Sequence, residues 1–379
     1  MNFIEMYAEE EQRAIARSTF TERKVFSPFT HNLVNDPTRI ASVSELPYFV
    51  CTMHNERAED TVDNLLNGLT EDEGRLLRRV VTKLLDLSSG WGCSTAPHSS
   101  LLRHFYQRRL IQHLLPDAQS FLEIGPGTGY LSLMLALNGK GVANTDVTQA
   151  YYLFQHYLYD SFGCLSECAG TTALPWTVGR EFPAGKIQHM PWWIYKDLAK
   201  STVKVDVIVV NHAICEMHIV AVQHLLAVAH RLGSPKFFME STGSDIVSLT
   251  FDQVRSLFLT YGYSCSYAKH DVYIFEHTRV PRQTAFTVGR KIRRVIGGLI
   301  PFMPVFKKER HRLTSQFMTL YRRFTGRHSI RPSIFERQPL RYADVSRLYE
   351  EISGTADFKS LDESFLDRIG KDAGGETDL

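Results

Sequence analysis

Apolar side chains recur at helical spacing in the first third of the chain. After residue 70, Leu and Val residues repeat every three or four positions, at Leu76, Leu77, Val80, Val81, Leu84 and Leu85. Thr70 and Glu73 have the spacing of a capping box, in which each residue hydrogen-bonds the backbone N–H of the other. The run LLRHFYQRRLIQHLL at residues 101–115 is interpreted as a second amphipathic helix. We therefore predict a helical N-terminal cap or lid over residues 1–114.

From about residue 119 the pattern changes to short apolar runs that alternate with helical ones. SFLEIG, GVANTD, KIQHM, VKVDVIVVN and KFFMEST are typical of strands, and SCSYAKH with VYIFEHT is typical of a closing pair. Such alternation implies a doubly wound parallel sheet, which binds ligands at the carboxyl ends of its strands. The predicted fold class is α/β, with a Rossmann-like doubly wound sheet over residues 115–278.

The composition excludes several classes of protein. Hydrophobic residues make up 44% of the 379 residues and charged residues 22%, which is typical of a globular protein and not of a disordered or collagen-like chain. The six cysteines form no CxxC pair, which argues against a zinc ribbon and favours reduced thiols. The acidic N-terminus lacks the apolar run of a secretory signal, and no long apolar window suggests a spanning helix. We expect a cytoplasmic protein.

The formal net charge of +2 hides a segregation of charge along the chain. Residues 279–331 hold 14 Lys and Arg residues and a single acid, Glu309, whereas residues 1–278 carry a net charge of −6 and residues 333–379 one of −5. We therefore separate residues 279–379 as a basic C-terminal extension with an acidic tail.

Within this extension, residues 290–308 combine an apolar stripe with cations. At helical spacing, Ile292, Val295 and Ile296 share one face, and the neighbouring arginines lie largely off it. The pattern predicts an interfacial helix on an anionic membrane, which would place the protein peripherally on the inner face of that membrane. The alternative is a basic face that packs on the acidic remainder of the chain, and nucleic acid is a third, less favoured partner.

A glycine-rich motif, FLEIGPGTGY, joins the first strand to the following helix. Gly125, Gly127 and Gly129 permit positive φ and let the backbone approach a ligand at a helix N-terminus. The GxGxG spacing differs from the GxGxxG of dinucleotide folds, and no Lys-Ser/Thr follows as in a phosphate loop. Glu123 lies two residues before the first glycine, and Asp146 ends the next strand. The alternative is a tight strand–helix turn that binds nothing.

With this motif and Asp146, residues 115–278 resemble the class I S-adenosylmethionine (SAM)-dependent methyltransferases. The resemblance implies a seven-stranded sheet with one antiparallel strand near its edge. It also implies that Glu123 and the glycine loop cradle the methionine part of SAM, and that Asp146 binds its ribose. Gln188 or His189, taken to follow the third strand, would lie near the adenine, although many members of the family carry an acid there. Asn211 is the remaining cofactor-binding candidate.

The loop Asn211-His-Ala-Ile-Cys-Glu-Met-His218 leaves the carboxyl end of the fourth strand, beside the expected methyl group. It lacks the (D/N)PP(Y/F) tetrapeptide of many amino-group methyltransferases. His212 and Glu216 are four residues apart and would share a helical face, so His212 is the candidate general base and Glu216 the residue that orients it. His218 is the rival base. The alternative is that these side chains only cap or buttress the helix, and the spacing does not indicate a metal site.

Met190-Pro-Trp-Trp-Ile-Tyr195 precedes this strand, and its paired tryptophans either stack on a sugar or, as we favour, pack in the core. Together with the glycine motif and NHAICEMH, the PWW segment resembles sugar O-methyltransferases of bacterial polysaccharide pathways. The implied function is methyl transfer from SAM to a hydroxyl of a sugar or polysaccharide. The alternatives are an RNA or protein methyltransferase that docks through the basic segment, and a non-catalytic scaffold with a SAM-binding fold.

Overall fold

A computed structural model describes the following residues: 3–19, 40, 42–46, 69–92, 101–166, 181–211, 213–233, 235–240, 249–269 and 271–278. The predicted basic segment, the acidic tail and the candidate base His212 lie outside the described residues. The predicted split into a cap, a central domain and an extension stays a prediction.

A seven-stranded sheet organises the described residues. Its strands are β1 (Ser120–Ile124), β2 (Gly141–Asp146), β3 (Ile187–Pro191), β4 (Val207–Val209), β5 (Lys236–Glu240), β6 (Tyr263–Lys269) and β7 (Val272–His277). The strand order is β3-β2-β1-β4-β5-β7-β6. Strand β7 runs antiparallel to both β5 and β6, while the other pairings are parallel. The doubly wound α/β sheet with one antiparallel strand near its edge is thus confirmed.

The register of the central strands brings three carboxyl ends to one edge of the sheet. Glu123 of β1 pairs with Val209 of β4, and Val209 pairs with Phe238 of β5. These strands are buried on both faces, which explains their nearly continuous apolar sequences. The regular part of β4 is shorter than the predicted run VKVDVIVVN and covers only Val207–Val209.

Eight described helices accompany the sheet. They are α1 (Phe3–Arg17), α2 (Glu71–Gly90), α3 (Leu101–Leu114), α4 (Tyr130–Leu137), α5 (Gln149–Ser161), α6 (Trp192–Tyr195), α7 (Ile219–Arg231) and α8 (Phe251–Thr260). Short 3₁₀ turns add Val43–Glu45, Lys196–Lys200 and Ala213–Cys215. None of the described helices combines the length and apolarity needed to cross a membrane.

Helix α3 differs from its prediction as an amphipathic helix. Ten of the eleven residues from Leu101 to Ile111 are buried, so the helix has no wide polar face. Two of its three arginines, Arg108 and Arg109, are buried, and Glu73 of α2 pairs with both. Arg108 Nη2 lies 2.9 Å from Glu73 Oε1, and Arg109 Nε donates to the same oxygen at 2.7 Å. The predicted capping box between Thr70 and Glu73 is confirmed at the start of α2.

The N-terminal helix α1 covers the tryptophan pair that follows β3. Trp192 Nε1 donates to Glu11 Oε1 at 3.0 Å, and the rings of Tyr7 and Trp193 lie 4.9 Å apart. Both tryptophans are buried. The preferred interpretation of the PWW segment as core packing is therefore confirmed.

Candidate functional site

The glycine loop follows β1 directly and bends sharply into α4. Gly125, Gly127 and Gly129 have φ values of +67°, +59° and +75°, which side-chain-bearing residues rarely adopt. A Cβ at Gly125 would lie 2.9 Å from the Ala213 Cβ, and one at Gly129 would overlap the Tyr159 hydroxyl. The loop therefore needs glycine for its backbone conformation and also for its close contacts.

Asp146, the last residue of β2, accepts a hydrogen bond from this loop. Its Oδ2 accepts the Gly127 N–H at 3.1 Å, and its Oδ1 accepts the Thr148 N–H at 3.0 Å. Gln155 of α5 donates through Nε2 to the Gly127 carbonyl at 2.5 Å and to Asp146 Oδ2 at 3.3 Å. Burial raises the pKa of Asp146 to about 6 against the effect of these hydrogen bonds. Asp146 is thus a loop-positioning residue here, and its expected role toward ribose stays a prediction.

Glu123 lies in a buried polar network under the same loop. Ser132 of α4 donates to Glu123 Oε2 at 2.6 Å, and Asn144 Nδ2 of β2 donates to the Ser132 hydroxyl at 3.0 Å. Asn144 also donates to the Tyr159 hydroxyl at 2.7 Å, which in turn donates to the Gly129 carbonyl at 3.1 Å. Burial raises the pKa of Glu123 to about 7, so this carboxyl is partly protonated at neutral pH.

Sequence reasoning did not identify Gln155 and Tyr159, the two residues of α5 that contact the loop. They lie four residues apart, so they share one face of the helix. A polar Gln155 within the aromatic run QAYYLFQHYLYDSF was the signal that could have found them.

The structure places Gln188 and His189 inside β3 and not after it, which corrects their predicted position. They pair with Ala143 and Asn144 of β2, whereas Pro191 pairs with Asp146 at the carboxyl end. His189 Nδ1 lies 2.7 Å from Asn144 Oδ1, and its ring stacks on Tyr152 at 3.9 Å. His189 therefore belongs to the buried network. The residues that follow β3 are the tryptophans packed against α1.

The loop after β4 leaves beside the glycine loop, because Ala213 contacts Gly125. Asn211 Oδ1 accepts the Glu240 N–H of β5 at 2.8 Å. Glu216 follows the 3₁₀ turn, with its N–H donating to the Ala213 carbonyl at 3.0 Å. His212 lies outside the described residues, so its pairing with Glu216 stays a prediction.

His218 is the N-cap of α7. Its Nδ1 accepts the Val220 N–H at 3.3 Å. In the neutral ring the proton then sits on Nε2, so no second lone pair is left to accept a proton. His218 is therefore a helix cap in this structure, and its predicted role as the rival base stays a prediction.

The glycine loop and the polar atoms near it fit a ligand that carries polar groups. Around it lie three buried polar atoms that have no hydrogen-bond partner in the described part of the chain: Thr145 Oγ1, Gln155 Oε1 and Asn211 Nδ2. They come from the carboxyl ends of β2 and β4 and from α5. Because unpaired buried polar atoms are costly, they favour a ligand over a turn that binds nothing.

The solved structures that are similar to this chain include methyltransferases. A magnesium protoporphyrin IX methyltransferase from Synechocystis with bound SAM is 12% identical, with coverage of 56% of this chain and 100% of that chain and a TM-score of 0.29. A TehB-like SAM-dependent methyltransferase from Corynebacterium glutamicum is 17% identical, with coverage of 45% of this chain and 87% of that chain and a TM-score of 0.31. No protein-family model and no curated protein sequence matches the chain.

The fold assignment rests on the strand order, because these similarities are distant. Six parallel strands in the order β3-β2-β1-β4-β5-β6, with antiparallel β7 inserted before the last, form the seven-stranded sheet with one antiparallel strand near its edge that the resemblance to class I methyltransferases implies. The glycine loop lies after the central strand β1, where the order reverses and where open α/β sheets bind ligands. The described part of residues 115–278 thus has the class I SAM-dependent methyltransferase fold.

Proposed function

We propose that the protein is a SAM-dependent methyltransferase that methylates a hydroxyl group, on a sugar or polysaccharide. The observation that carries the SAM site is the positive-φ glycine loop after β1, held by the Asp146 carboxylate of β2. When bound, SAM supplies an electrophilic methyl group on a sulfonium. Gly125 and Gly127 would line its methionine part, Thr145 and Gln155 would offer polar atoms, and Asp146 would keep the loop in shape.

In this reaction the protein would position SAM and the acceptor hydroxyl, and it would supply one group that accepts the hydroxyl proton. A sugar hydroxyl is a poor nucleophile at neutral pH and benefits from a general base. In this proposal His212, next to Asn211 at the end of β4, takes the hydroxyl proton, and Glu216 orients its ring. The capping bond of His218 supports the choice of His212 over His218.

The support for a sugar acceptor comes from the resemblance of the PWW and NHAICEMH segments to sugar O-methyltransferases, and from the missing (D/N)PP(Y/F) tetrapeptide. The net charge of +13 over residues 279–331 favours the second candidate, an RNA or protein methyltransferase that docks through this segment. That candidate predicts nucleic-acid binding that falls steeply with salt concentration.

Methyl transfer from radiolabelled SAM to separate polysaccharide, RNA and protein fractions tests the proposal. We expect label in the polysaccharide fraction, and at least about a hundredfold loss of turnover in His212→Ala with SAM affinity retained. His113→Ala, which removes an exposed imidazole from α3, is the matched control. Label only in RNA or protein would favour the second candidate, and full turnover by His212→Ala would contradict the assigned base.

A further inference from the structure

A second polar cluster lies where α3 meets the carboxyl ends of β4 and β5. Glu240, the last residue of β5, is fully buried. Its Oε2 accepts from Gln107 Nε2 at 3.1 Å, and Arg103 Nη1 lies 4.0 Å from the same oxygen. Gln107 and Arg103 are one turn apart on α3, and Asn211 accepts the Glu240 N–H from the side of β4. Glu240 therefore fixes two side-chain amides, one through its carboxylate and one through its backbone.

These contacts also fix which way each amide points. A flipped Gln107 would direct its oxygen at a carboxylate, and a flipped Asn211 would direct its NH₂ at a backbone N–H. The atoms left over are therefore an acceptor, Gln107 Oε1, and a donor, Asn211 Nδ2. Both atoms are buried, and neither has a hydrogen-bond partner within the described ranges.

A hydroxyl is the neutral group that satisfies such a pair, since it accepts one hydrogen bond and donates another. Leaving a buried donor and a buried acceptor unpaired is unfavourable, and a ligand hydroxyl would remove both penalties. The charge of Arg103 offsets that of Glu240 in this cluster. A phosphate or carboxylate would therefore lack a free counter-charge from these four residues.

The cluster is next to the glycine loop. Asn211 lies two residues before Ala213, which contacts Gly125, and β4 is the neighbour of β1 in the sheet. Arg103 is one-fifth exposed, so the cluster reaches the surface on the side of α3. A hydroxyl bound here would lie at the edge of the sheet where the methyl group is proposed to be transferred.

We propose that Gln107 and Asn211, both anchored on Glu240, bind a hydroxyl of the methyl acceptor, and that the acceptor is a neutral polyhydroxylated molecule such as a glycoside. This inference rests on the proposed function, because it assigns the acceptor side of the same site. It moves Asn211 from the cofactor-binding candidates to the acceptor site and adds Gln107, which no sequence motif indicated.

Saturation-transfer NMR on the full chain with S-adenosylhomocysteine (SAH) tests the assignment. The probes are the methyl glycosides of glucose, mannose and galactose, with glucuronic acid as the anionic comparison. Asn211→Asp keeps the oxygen that binds the Glu240 N–H but replaces the free donor, and Gln107→Met removes the free acceptor in a side chain of similar size. Asn138→Asp makes the same chemical change on an exposed residue after α4 and is the control.

We expect at least one neutral glycoside to contact the wild type and Asn138→Asp, and about tenfold weaker binding to Asn211→Asp and Gln107→Met. Equal binding to all four proteins, no binding by the wild type, or a preference for glucuronic acid would overturn the inference. SAH calorimetry on the same samples separates the two proposals: the failure of wild type to bind SAH overturns the proposed function itself. Loss of SAH binding in Asn211→Asp would return Asn211 to the cofactor site and overturn its assignment here. If Asn211→Asp does not fold, Gln107→Met carries the test.

Discussion

Glu123 is buried beneath the glycine loop, so its charge changes within the neutral pH range. Its pKa is about 7 in the folded protein, against 4.5 for the ordinary side chain, because burial disfavours the charged form. The unfolded chain releases this proton at lower pH than the folded chain. The stabilising contribution of Glu123 is therefore complete below about pH 4.5 and is lost as the pH rises toward 7.

Glu123→Gln should remove this pH dependence, because the amide resembles the protonated acid and stays neutral. Urea unfolding at pH 5 and pH 8 should show a smaller loss of stability in the variant than in the wild type, by about 2 to 3 kcal/mol. Glu9→Gln, an exposed substitution on α1, should follow the wild type. Parallel curves for wild type and Glu123→Gln would mean that Glu123 is already ionised in the folded state.

Glu73 joins two helices, α2 and α3. It closes the capping box with Thr70, and it accepts hydrogen bonds from the buried Arg108 and Arg109. Burial raises the pKa of Glu73, but the Arg109 hydrogen bond, the Thr70 N–H and the two arginine charges outweigh it and lower the value to about 2. Its stabilising contribution is therefore present above about pH 4.5 and is lost as the pH falls toward 2, opposite to Glu123.

Glu73→Gln should destabilise the fold by about 3 kcal/mol at pH 7, since it leaves two buried guanidinium groups without a carboxylate. The unfolding midpoint in urea measures the change. Glu71→Gln removes an exposed carboxylate that pairs with Arg75 on the same helix, and its midpoint should stay close to that of the wild type. Similar midpoints for both variants would show that the link between α2 and α3 adds little stability.

The sequence predicted those elements whose determinants are local. The Thr70 capping box and the glycine loop each depend on residues within a short segment, and both appear as predicted. The burial of α3 could not be predicted, because it depends on partners far along the chain: Arg109 on Glu73, and Gln107 on Glu240, which is 133 residues away. Gln188 was misplaced for a similar reason, since the end of β3 is set by its register with β2.

The segregation of charge along the chain predicts a docking surface in residues 290–308. A variant in which Gln replaces Arg290, Arg293 and Arg294 should bind phosphatidylglycerol vesicles on the order of 100-fold more weakly in co-sedimentation. The reason is that each cation near an anionic surface contributes about 1 kcal/mol. The control is a variant in which Gln replaces Arg322, Arg323 and Arg327, because it loses the same charge outside that segment. Equal losses, or binding to phosphatidylcholine vesicles alone, would contradict a membrane-docking stripe.

The loop after β1 is the proposed cradle of SAM, and SAH calorimetry on matched glycine variants tests this site. Gly125 and Gly139 have φ values of +67° and +77°, so alanine strains the backbone similarly at both. Only at Gly125 does the added Cβ meet a neighbour, Ala213, whereas the space at Gly139 is open. We predict SAH binding by the wild type and by Gly139→Ala, and at least about tenfold weaker binding by Gly125→Ala. No SAH binding by the wild type, or equal affinities for the two variants, would contradict a SAM site at this loop.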